Sequence, residues 1–260
     1  MKYCVIASGS KGNMTYIETE QTKLLIDAGI SLKEAKARLD IDYTNLDAIL
    51  ITHAHGDHIG GLLSVVKESN AKVYVTKETF GEIATKYKDK IIGMNVSYIE
   101  PNQTFKINDV KIFSMRLSHD TKSCVGFVIV GPSSSMGYVT DTGFLPIPYI
   151  DILKKVDSLI IESNHDIELL NKSNRPWYLK ERILSVEGHM SNYICGQVLN
   201  TIVQNKKLKT VVLAHLSEDV NTEEIALETV IGSITSDYLP KIYIAKQRVA
   251  LDFIEVNGGN

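Results

Sequence analysis

The chain has 260 residues, of which 44% are hydrophobic and 23% are charged, as in an ordinary globular protein. Lysine and arginine total 28 against 31 aspartate and glutamate, and the net charge of −3 excludes a surface that is basic enough throughout to coat nucleic acid. No apolar run approaches about 20 residues and the N-terminus lacks the apolar stretch of a secretory signal, so we expect a cytoplasmic protein without a membrane span.

Short apolar runs alternate with helical patterns along the chain. The first part predicts strands at 3–7, 14–18, 23–27, 46–52 and 73–76, with helices at 31–39, from 58 onward and at 77–87. A β-rich stretch covers 96–140, with its clearest strands at 124–130 and 136–140. The remainder predicts helices at 149–156, 177–184, 193–204 and 223–231, and strands at 158–162, 210–214, 241–245 and 249–254. This order predicts an α/β layered fold, and the simplest division is a single domain over 1–260.

The cysteines Cys4, Cys124 and Cys195 are odd in number and far apart. They form no Cys-x-x-Cys pair, which argues against a disulfide framework and a cysteine zinc site. We expect three buried free thiols.

Four side chains able to bind a metal occur within six residues, at His53, His55, Asp57 and His58. His53 and His55 leave an apolar strand two residues apart, so both can project to the same side. Gly56 allows a sharp turn, and Asp57 and His58 follow at the start of a helix. Imidazole and carboxylate together suit zinc, iron or manganese, so this segment predicts a metal site.

Three further candidate ligands each follow an apolar strand, at His119, Asp141 and His215. The ends of strands are where α/β proteins place their active sites. Taken singly, each residue is explained equally well as a polar loop residue. Taken with the first cluster, the three supply the ligands that two metals need.

The ordered set of these residues resembles the metal-ligand set of the metallo-β-lactamase superfamily, and Leu25-Ile26-Asp27-Ala28-Gly29 resembles the strand that precedes the motif there. The resemblance covers essentially the whole chain. It implies a four-layer αββα sandwich, in which two mixed sheets pack face to face with helices on the outside. It also implies two divalent cations, zinc or alternatively manganese. One would be held by His53, His55 and His119, and the other by Asp57, His58 and His215, with Asp141 between them.

Four more segments resemble the WalJ/YycJ-like branch of this superfamily, whose members are regarded as DNA exonucleases and which is related to ribonuclease Z. The segments are Ser8-Gly9-Ser10-Lys11-Gly12-Asn13, Glu162-Ser163-Asn164-His165-Asp166, Pro176-Trp177-x-Leu179-Lys180-x-Arg182 and Gly188-His189-Met190-Ser191-Asn192. The last departs from the usual pattern, with Met190 in place of leucine. The resemblance implies that His189 acts in catalysis with Glu162, and that Asp57 is both a ligand and a proton acceptor.

Candidate substrate contacts come from the same segments. The hydroxyls and amides of the loop at Ser8, Ser10 and Asn13 could cradle a phosphate, although a plain tight turn explains the loop nearly as well. Asn164 and His165 are further candidates, and His165 could instead cap the helix that follows.

A local basic cluster comprises Lys172, Arg175, Lys180 and Arg182. We expect Lys180 and Arg182 to contact phosphate, against the alternative of a solvated helix face. Trp177 is the only tryptophan, and we interpret it as a core anchor in preference to a base-stacking residue.

The predicted function is binuclear, metal-dependent hydrolysis of phosphodiesters, by a nuclease acting on DNA ends. The alternative is a phosphodiesterase for a small substrate such as a cyclic nucleotide. Hydrolysis of a lactone, thioester or β-lactam fits the phosphate-type features less well, and a silent binding protein would need broken ligand positions, of which there are none. The sequence leaves open DNA against RNA, the polarity of attack, the metal and the oligomeric state, with a homodimer among the options.

Overall fold

A computed structural model describes residues 1–258 of the chain. The strands of this part are β1 (Lys2–Ala7), β2 (Met14–Glu18), β3 (Lys23–Ile26), β4 (Ala48–Leu50), β5 (Lys72–Val75), β6 (Val96–Tyr98), β7 (Thr104–Ile107), β8 (Val110–Leu117), β9 (Cys124–Val130), β10 (Ser135–Val139), β11 (Ser158–Glu162), β12 (Thr210–Ala214), β13 (Lys241–Ile244) and β14 (Ile254–Glu255). The helices are α1 (Leu32–Arg38), α2 (Gly56–Ile59), α3 (Leu62–Ser69), α4 (Lys77–Tyr87), α5 (Ile147–Leu153), α6 (Ile167–Lys172), α7 (Trp177–Leu184), α8 (Asn192–Ile202) and α9 (Glu223–Ser233).

The strands form two sheets of seven that repeat one plan. Sheet 1 has the order β14-β1-β2-β3-β4-β5-β6 and sheet 2 has the order β13-β12-β11-β10-β9-β8-β7. In sheet 1 the pairs up to β2–β3 are antiparallel and the pairs from β3–β4 to β5–β6 are parallel. In sheet 2 the pairs from β7–β8 to β9–β10 are antiparallel and those from β10–β11 to β12–β13 are parallel. Both sheets are therefore mixed, as predicted.

Apolar side chains fill three layers and so fix the order helix, sheet, sheet, helix. Between the sheets, Leu24 and Leu50 of sheet 1 share one buried cluster with Phe127 and Ile160 of sheet 2. The outer face of sheet 1 packs on α1, α3 and α4. The outer face of sheet 2 packs on α8 and α9. This arrangement confirms the predicted αββα sandwich.

Two predicted elements differ in their bounds. The helix expected from 58 onward is broken into α2 and α3, because Gly60 and Gly61 approach the backbone of Gly29 and Ile30 too closely for any side chain. The strand expected over 249–254 is wrong, since only Ile254–Glu255 pairs with β1. A bulge in β1 between Val5 and Ala7 bends that strand. Beyond Tyr3, the Leu251 amide donates to the Val5 carbonyl oxygen and Cys4 Sγ donates to the Leu251 carbonyl oxygen, without a continuous ladder.

Other expectations hold within residues 1–258. All three cysteines are buried and free, as predicted. No helix in this part of the chain has both the length and the hydropathy needed to cross a bilayer. The division of the chain into one domain stays a prediction.

Gly29 lies where two loops meet, so a side chain there should be costly. A Cβ on Gly29 would lie 1.7 Å from the carbonyl oxygen of Asp57. We expect Gly29→Ala to lower the free energy of unfolding by about 2 to 3 kcal/mol in denaturant titrations. Gly81→Ala is the matched control, because Gly81 lies within α4 with open space around it. It should raise stability by up to about 1 kcal/mol. Equal effects of the two changes would contradict this account of the packing.

Candidate metal centre

The candidate ligands meet because five strands end at one edge of the sandwich. In sheet 1, β3 leads to Asp27 and β4 leads to His53. In sheet 2, β8, β10 and β12 point the same way and lead to His119, Asp141 and His215. Strands that share a direction present their carboxyl ends at the same edge. The fold therefore brings together side chains as far apart in sequence as Asp27 and His215.

The side chains form two groups that share a neighbour. Ring nitrogens of His53, His55 and His119 all lie within 4.8 Å of one another, and the ligand atoms of Asp57, His58 and His215 do likewise. The two carboxylate oxygens of Asp141 each lie close to a different histidine of the second group. Its Oδ2 is 3.3 Å from His58 Nε2, and its Oδ1 is 3.5 Å from His215 Nε2. It also belongs to a third group with His53 and His58, so its carboxylate stands between the two sets.

Atoms without partners show that these residues fit metal ions. His53 Nε2, His215 Nε2 and Asp141 Oδ2 are buried, and none has a hydrogen-bond partner among residues 1–258. A buried polar atom left unpaired costs about 1–3 kcal/mol, so three in one place call for a ligand. Imidazole nitrogens and carboxylates are donors that zinc and manganese accept. The residues present therefore match the divalent metals that the fold implies.

In three histidines of the centre, His58, His119 and His215, the Nδ1 atom is hydrogen-bonded to a group outside the ligand set. His58 Nδ1 donates to Asp27 at 2.7 Å and His215 Nδ1 donates to Glu162 at 2.9 Å. His119 Nδ1 donates to the carbonyl oxygen of Glu187 at 3.1 Å. A proton fixed on Nδ1 leaves Nε2 free to accept, which is the tautomer that a metal ligand requires.

Asp27 is a functional residue that the sequence reasoning missed. Its carboxylate accepts from the amide of Thr52 at 2.9 Å as well as from His58. The signal in the sequence was its place in the Leu25–Gly29 segment, to which no role was given. Asp27, Asp141 and His215 also share a left-handed backbone, with φ of 58°, 59° and 56°. Non-glycine residues seldom adopt this conformation, and such strain concentrates at functional sites.

The electrostatics of the centre favour positive charge among the carboxylates. Burial lowers the pKa of His58, but the carboxylates of Asp141 and Asp27 outweigh it and raise that pKa to about 10. At His53 burial and the neighbouring histidines act together and hold its pKa well below the usual value. A neutral imidazole has one unprotonated nitrogen, which is the form that binds a metal.

A second pair of residues adjoins the centre. Glu162 is fully buried, and its Oε1 accepts from His189 Nδ1 at 2.8 Å as well as from His215. Its Oε2 accepts from the amides of Thr142 and Met190, both at 3.1 Å. Burial raises the pKa of Glu162, but the two histidines outweigh burial and hold it below its usual range. The contact between Glu162 and His189 is thus present.

A pocket of about 190 Å³ opens beside these residues. His119, His189 and His215 line one side of it, and Arg182 of α7 lies on another. Ser10 and Asn164 also line this pocket, and Asn164 donates to the carbonyl oxygen of His215 at 2.8 Å. Three of the predicted substrate contacts, Ser10, Asn164 and Arg182, are therefore in reach of a bound molecule.

The other predicted substrate contacts do not line this pocket. Ser8 Oγ accepts from the amide of His215 at 2.8 Å, and the buried Asn13 amide donates to Asp57 Oδ2 at 3.2 Å. Lys180 donates to the carbonyl oxygens of Asn171 and Ser173, both at 2.7 Å. In the structure these three side chains hold backbone and ligands in place.

His165 and Trp177 also differ from expectation. Asp166, not His165, caps α6 by accepting from the amide of Leu169. His165 is buried instead, and within the described chain neither of its ring nitrogens has a partner. The interpretation of Trp177 as a core anchor is wrong, because 65% of its surface is exposed. The first turn of α7 buries little, since α7 packs through Lys180 and Ile183.

Two arginines near the centre form ion pairs with aspartates, and in the described part of the chain a nearby lysine does not. Arg182 forms an ion pair with Asp120, and Arg175 pairs with Asp219 at 2.7 Å. Lys86 is another cation at this edge, 3.4 Å from where a Cβ on Gly56 would lie. No acidic partner for Lys86 occurs within residues 1–258. Lys86 lies about 30 residues beyond the histidine motif, so no local pattern links it to the site.

Asp27→Asn would replace the carboxylate that accepts the hydrogen bond from His58 Nδ1. The asparagine amide would offer its own protons to His58 Nδ1, which favours the wrong tautomer of the ring. We expect affinity for zinc to fall about 10- to 100-fold, as for other changes behind a metal ligand. The measurement is bound metal per chain by elemental analysis against a metal buffer.

Asp157→Asn is the matched control for Asp27→Asn, because Asp157 is a buried carboxylate that binds Ser135 and Lys207 at the other end of sheet 2. It should lower stability and leave metal content unchanged. Full metal binding by the Asp27→Asn protein would show that Asp27 does not orient His58.

Comparisons with known proteins identify the family of the chain. Residues 22–216 match the family described as Beta-lactamase superfamily domain. The chain is 34% identical over 237 residues to the exodeoxyribonuclease WalJ of Streptococcus pneumoniae, covering 90% of this chain and 88% of WalJ. It is 32% identical over 235 residues to the exodeoxyribonuclease YycJ of Bacillus anthracis, covering 87% and 86%.

Solved structures share the fold at lower identity. The metallo-β-lactamase fold protein YhfI from Bacillus subtilis has a TM-score of 0.73 at 18% identity, over 96% of this chain and 99% of YhfI. The short form of human tRNase Z has a TM-score of 0.67 at 15% identity, over 97% and 99%. This chain belongs to the metallo-β-lactamase superfamily of metal-dependent hydrolases, in the branch that contains WalJ and YycJ.

Proposed function

We propose that the chain is a binuclear nuclease that hydrolyses phosphodiester bonds at DNA ends. The observation that carries the proposal is the position of His189, which Glu162 holds in the pocket beside His119 and His215. A histidine that is not needed for the ligand set, but lies next to it, fits transfer of a proton to a leaving oxygen. The names of the two relatives, both exodeoxyribonucleases, support DNA as the substrate.

The proposed ligand set is the one that the resemblance implies. His53, His55 and His119 would hold one cation, and Asp57, His58 and His215 would hold the other, with Asp141 available to both groups. Bound there, two zinc or manganese ions supply Lewis acidity, which activates water near neutral pH and offsets negative charge on a phosphate.

The chain's own residues supply orientation and proton transfer. Glu162 holds a proton on His189 Nδ1, so His189 can donate from Nε2 toward a leaving oxygen or a phosphate oxygen in the pocket. Asp57 is partly exposed, with 22% of its side chain accessible, and it can accept a proton as well as bind.

Contacts to the phosphate backbone come from the cations around the pocket. The ion pair of Arg182 with Asp120 leaves 54% of the arginine side chain exposed, so a phosphate can compete for the guanidinium. Lys86 is also positively charged, and a phosphate that binds it would not have to displace an acidic partner among the described residues. We assign both to phosphate contacts, with Ser10 and Asn164 nearer the reacting group. A cytoplasmic location and a homodimer stay predictions.

A direct test compares substrates. Zinc- or manganese-loaded protein should degrade end-labelled single- or double-stranded DNA, and a chelator should abolish the reaction. RNA, cyclic nucleotides and a closed circle of DNA are incubated in parallel. Activity confined to cyclic nucleotides would replace the proposal with a small-molecule phosphodiesterase, and cleavage of the circle would replace end-directed attack with internal attack.

We expect His189→Ala to lower the turnover number on DNA about 10²-fold or more, the usual scale for a positioned acid–base group. Metal content should stay unchanged. On a nitrophenyl phosphodiester the loss should be smaller, because a good leaving group needs less protonation. An equal loss on both substrates would exclude the leaving-group role and leave phosphate binding. Full activity on both would remove the main support for the nuclease.

Lys86→Ala should weaken DNA binding in a salt-dependent way. Loss of one phosphate contact lowers the slope of log binding constant against log salt by about 0.7 to 0.9. Hydrolysis of the nitrophenyl substrate, which has no further phosphates, should not change. Lys67→Ala removes the same charge from the exposed side of α3 and should leave the slope as it was. Identical slopes for both variants would exclude Lys86 as a phosphate contact.

A further inference from the structure

We propose that Trp177 and Tyr178 form a stacking platform for the nucleobases of a single-stranded end bound in the pocket. The inference rests on the proposed nuclease function and adds the way in which the strand is held.

The two rings are consecutive and both stand in solvent. Trp177 is 65% exposed and Tyr178 is 72% exposed, and they form the first turn of α7 directly after Pro176. Neither belongs to a hydrophobic cluster in the described part of the chain, since α7 packs on α6 through Ile183 and Leu179. Two adjacent large rings outside the core form an exposed apolar patch, and such patches mark contact sites.

The turn of α7 that carries the rings lies next to residues of the pocket, although neither ring lines the pocket itself. Arg175 and Leu179, two residues to either side of Trp177, both line the pocket. Arg182 also lines it, four residues after Tyr178 and thus on the same side of the helix. A strand whose phosphate lies at His189 would pass the arginines first and then meet the rings.

The segment that carries the rings is held at two points before a ligand binds. Lys180 donates to the carbonyl oxygens of Asn171 in the last turn of α6 and of Ser173 just after it. Arg175 binds Asp219 on another part of the chain. A platform fixed before binding loses little entropy when a base stacks on it.

A nucleic acid strand fits this place better than a second copy of the chain. Arginines beside exposed aromatic rings match an anionic backbone that carries flat bases. A stable protein interface needs about 800 Å² on each partner, and a footprint of that size around α7 would extend over the mouth of the pocket. The strand end is therefore the occupant to which we commit.

Trp177 is the only tryptophan, so its fluorescence reports on the platform directly. Metal-loaded protein is titrated with a single-stranded oligonucleotide whose phosphorothioate linkages resist hydrolysis. We expect saturable quenching. An abasic strand of the same length should bind through its phosphates without quenching, because it has no base to stack. Equal quenching by the two strands, or none with the normal strand, would overturn the proposal.

Kinetics give the second readout. Trp177→Ala should raise KM for single-stranded DNA about 10-fold with little change in kcat, and Trp177→Phe should restore most of the loss. Leu184→Ala, which removes an exposed apolar side chain elsewhere on α7, should have no effect. The nitrophenyl substrate, with no nucleobase and no strand, should be unaffected by all three changes.

The outcomes separate the platform from the proposed function. A wild-type protein that leaves DNA intact refutes the nuclease itself. A wild-type protein that degrades DNA, with KM unchanged in Trp177→Ala, refutes the platform alone. Fluorescence that changes with protein concentration in the absence of DNA, together with a larger mass in sedimentation, would show that the rings form a contact between copies and would also refute it.

Discussion

Glu162 joins the two halves of the site through one buried carboxylate. It accepts hydrogen bonds from His215 and His189 on one oxygen and from two backbone amides on the other. The four donors allow a charged group to remain at the end of β11 without water. One side chain thus sets the direction of a proposed metal ligand and of the histidine in the pocket, so neither can turn without disturbing the other.

Asp27 does in sheet 1 what Glu162 does in sheet 2. Each follows or ends a strand of the parallel half of its sheet, and each accepts from Nδ1 of a histidine whose Nε2 faces the centre. The repeated plan of the sheets therefore extends to the support of the ligands. Charge is placed behind the rings, where it fixes their tautomer, and the face toward the centre keeps unpaired atoms.

Local spacing explains what the sequence could predict, and long-range contact explains what it could not. The motif from His53 to His58 carries its own geometry, and the sandwich followed from the resemblance. The contact of Asp27 with His58 spans 31 residues and leaves no periodic signal. Trp177 looked like a core residue because aromatic rings are usually buried, but α7 buries Lys180 and Ile183 instead. Lys180 in turn looked like a phosphate contact, although carbonyl oxygens take up its ammonium.

Because strands of both sheets end at one edge, the proposed ligands come from both halves of the sandwich. On the proposed assignment, His53 and His55 would hold the first cation from the segment that follows β4 of sheet 1, together with His119 after β8 of sheet 2. Asp57 and His58 of α2, which follows the same strand, would hold the second together with His215 after β12 of sheet 2. Neither half of the sandwich owns a complete set of ligands, although each repeats the plan of the other. A cut between β6 and β7 would therefore divide the ligands of each proposed cation between two fragments, and it would also separate β14 from β1, its partner in sheet 1.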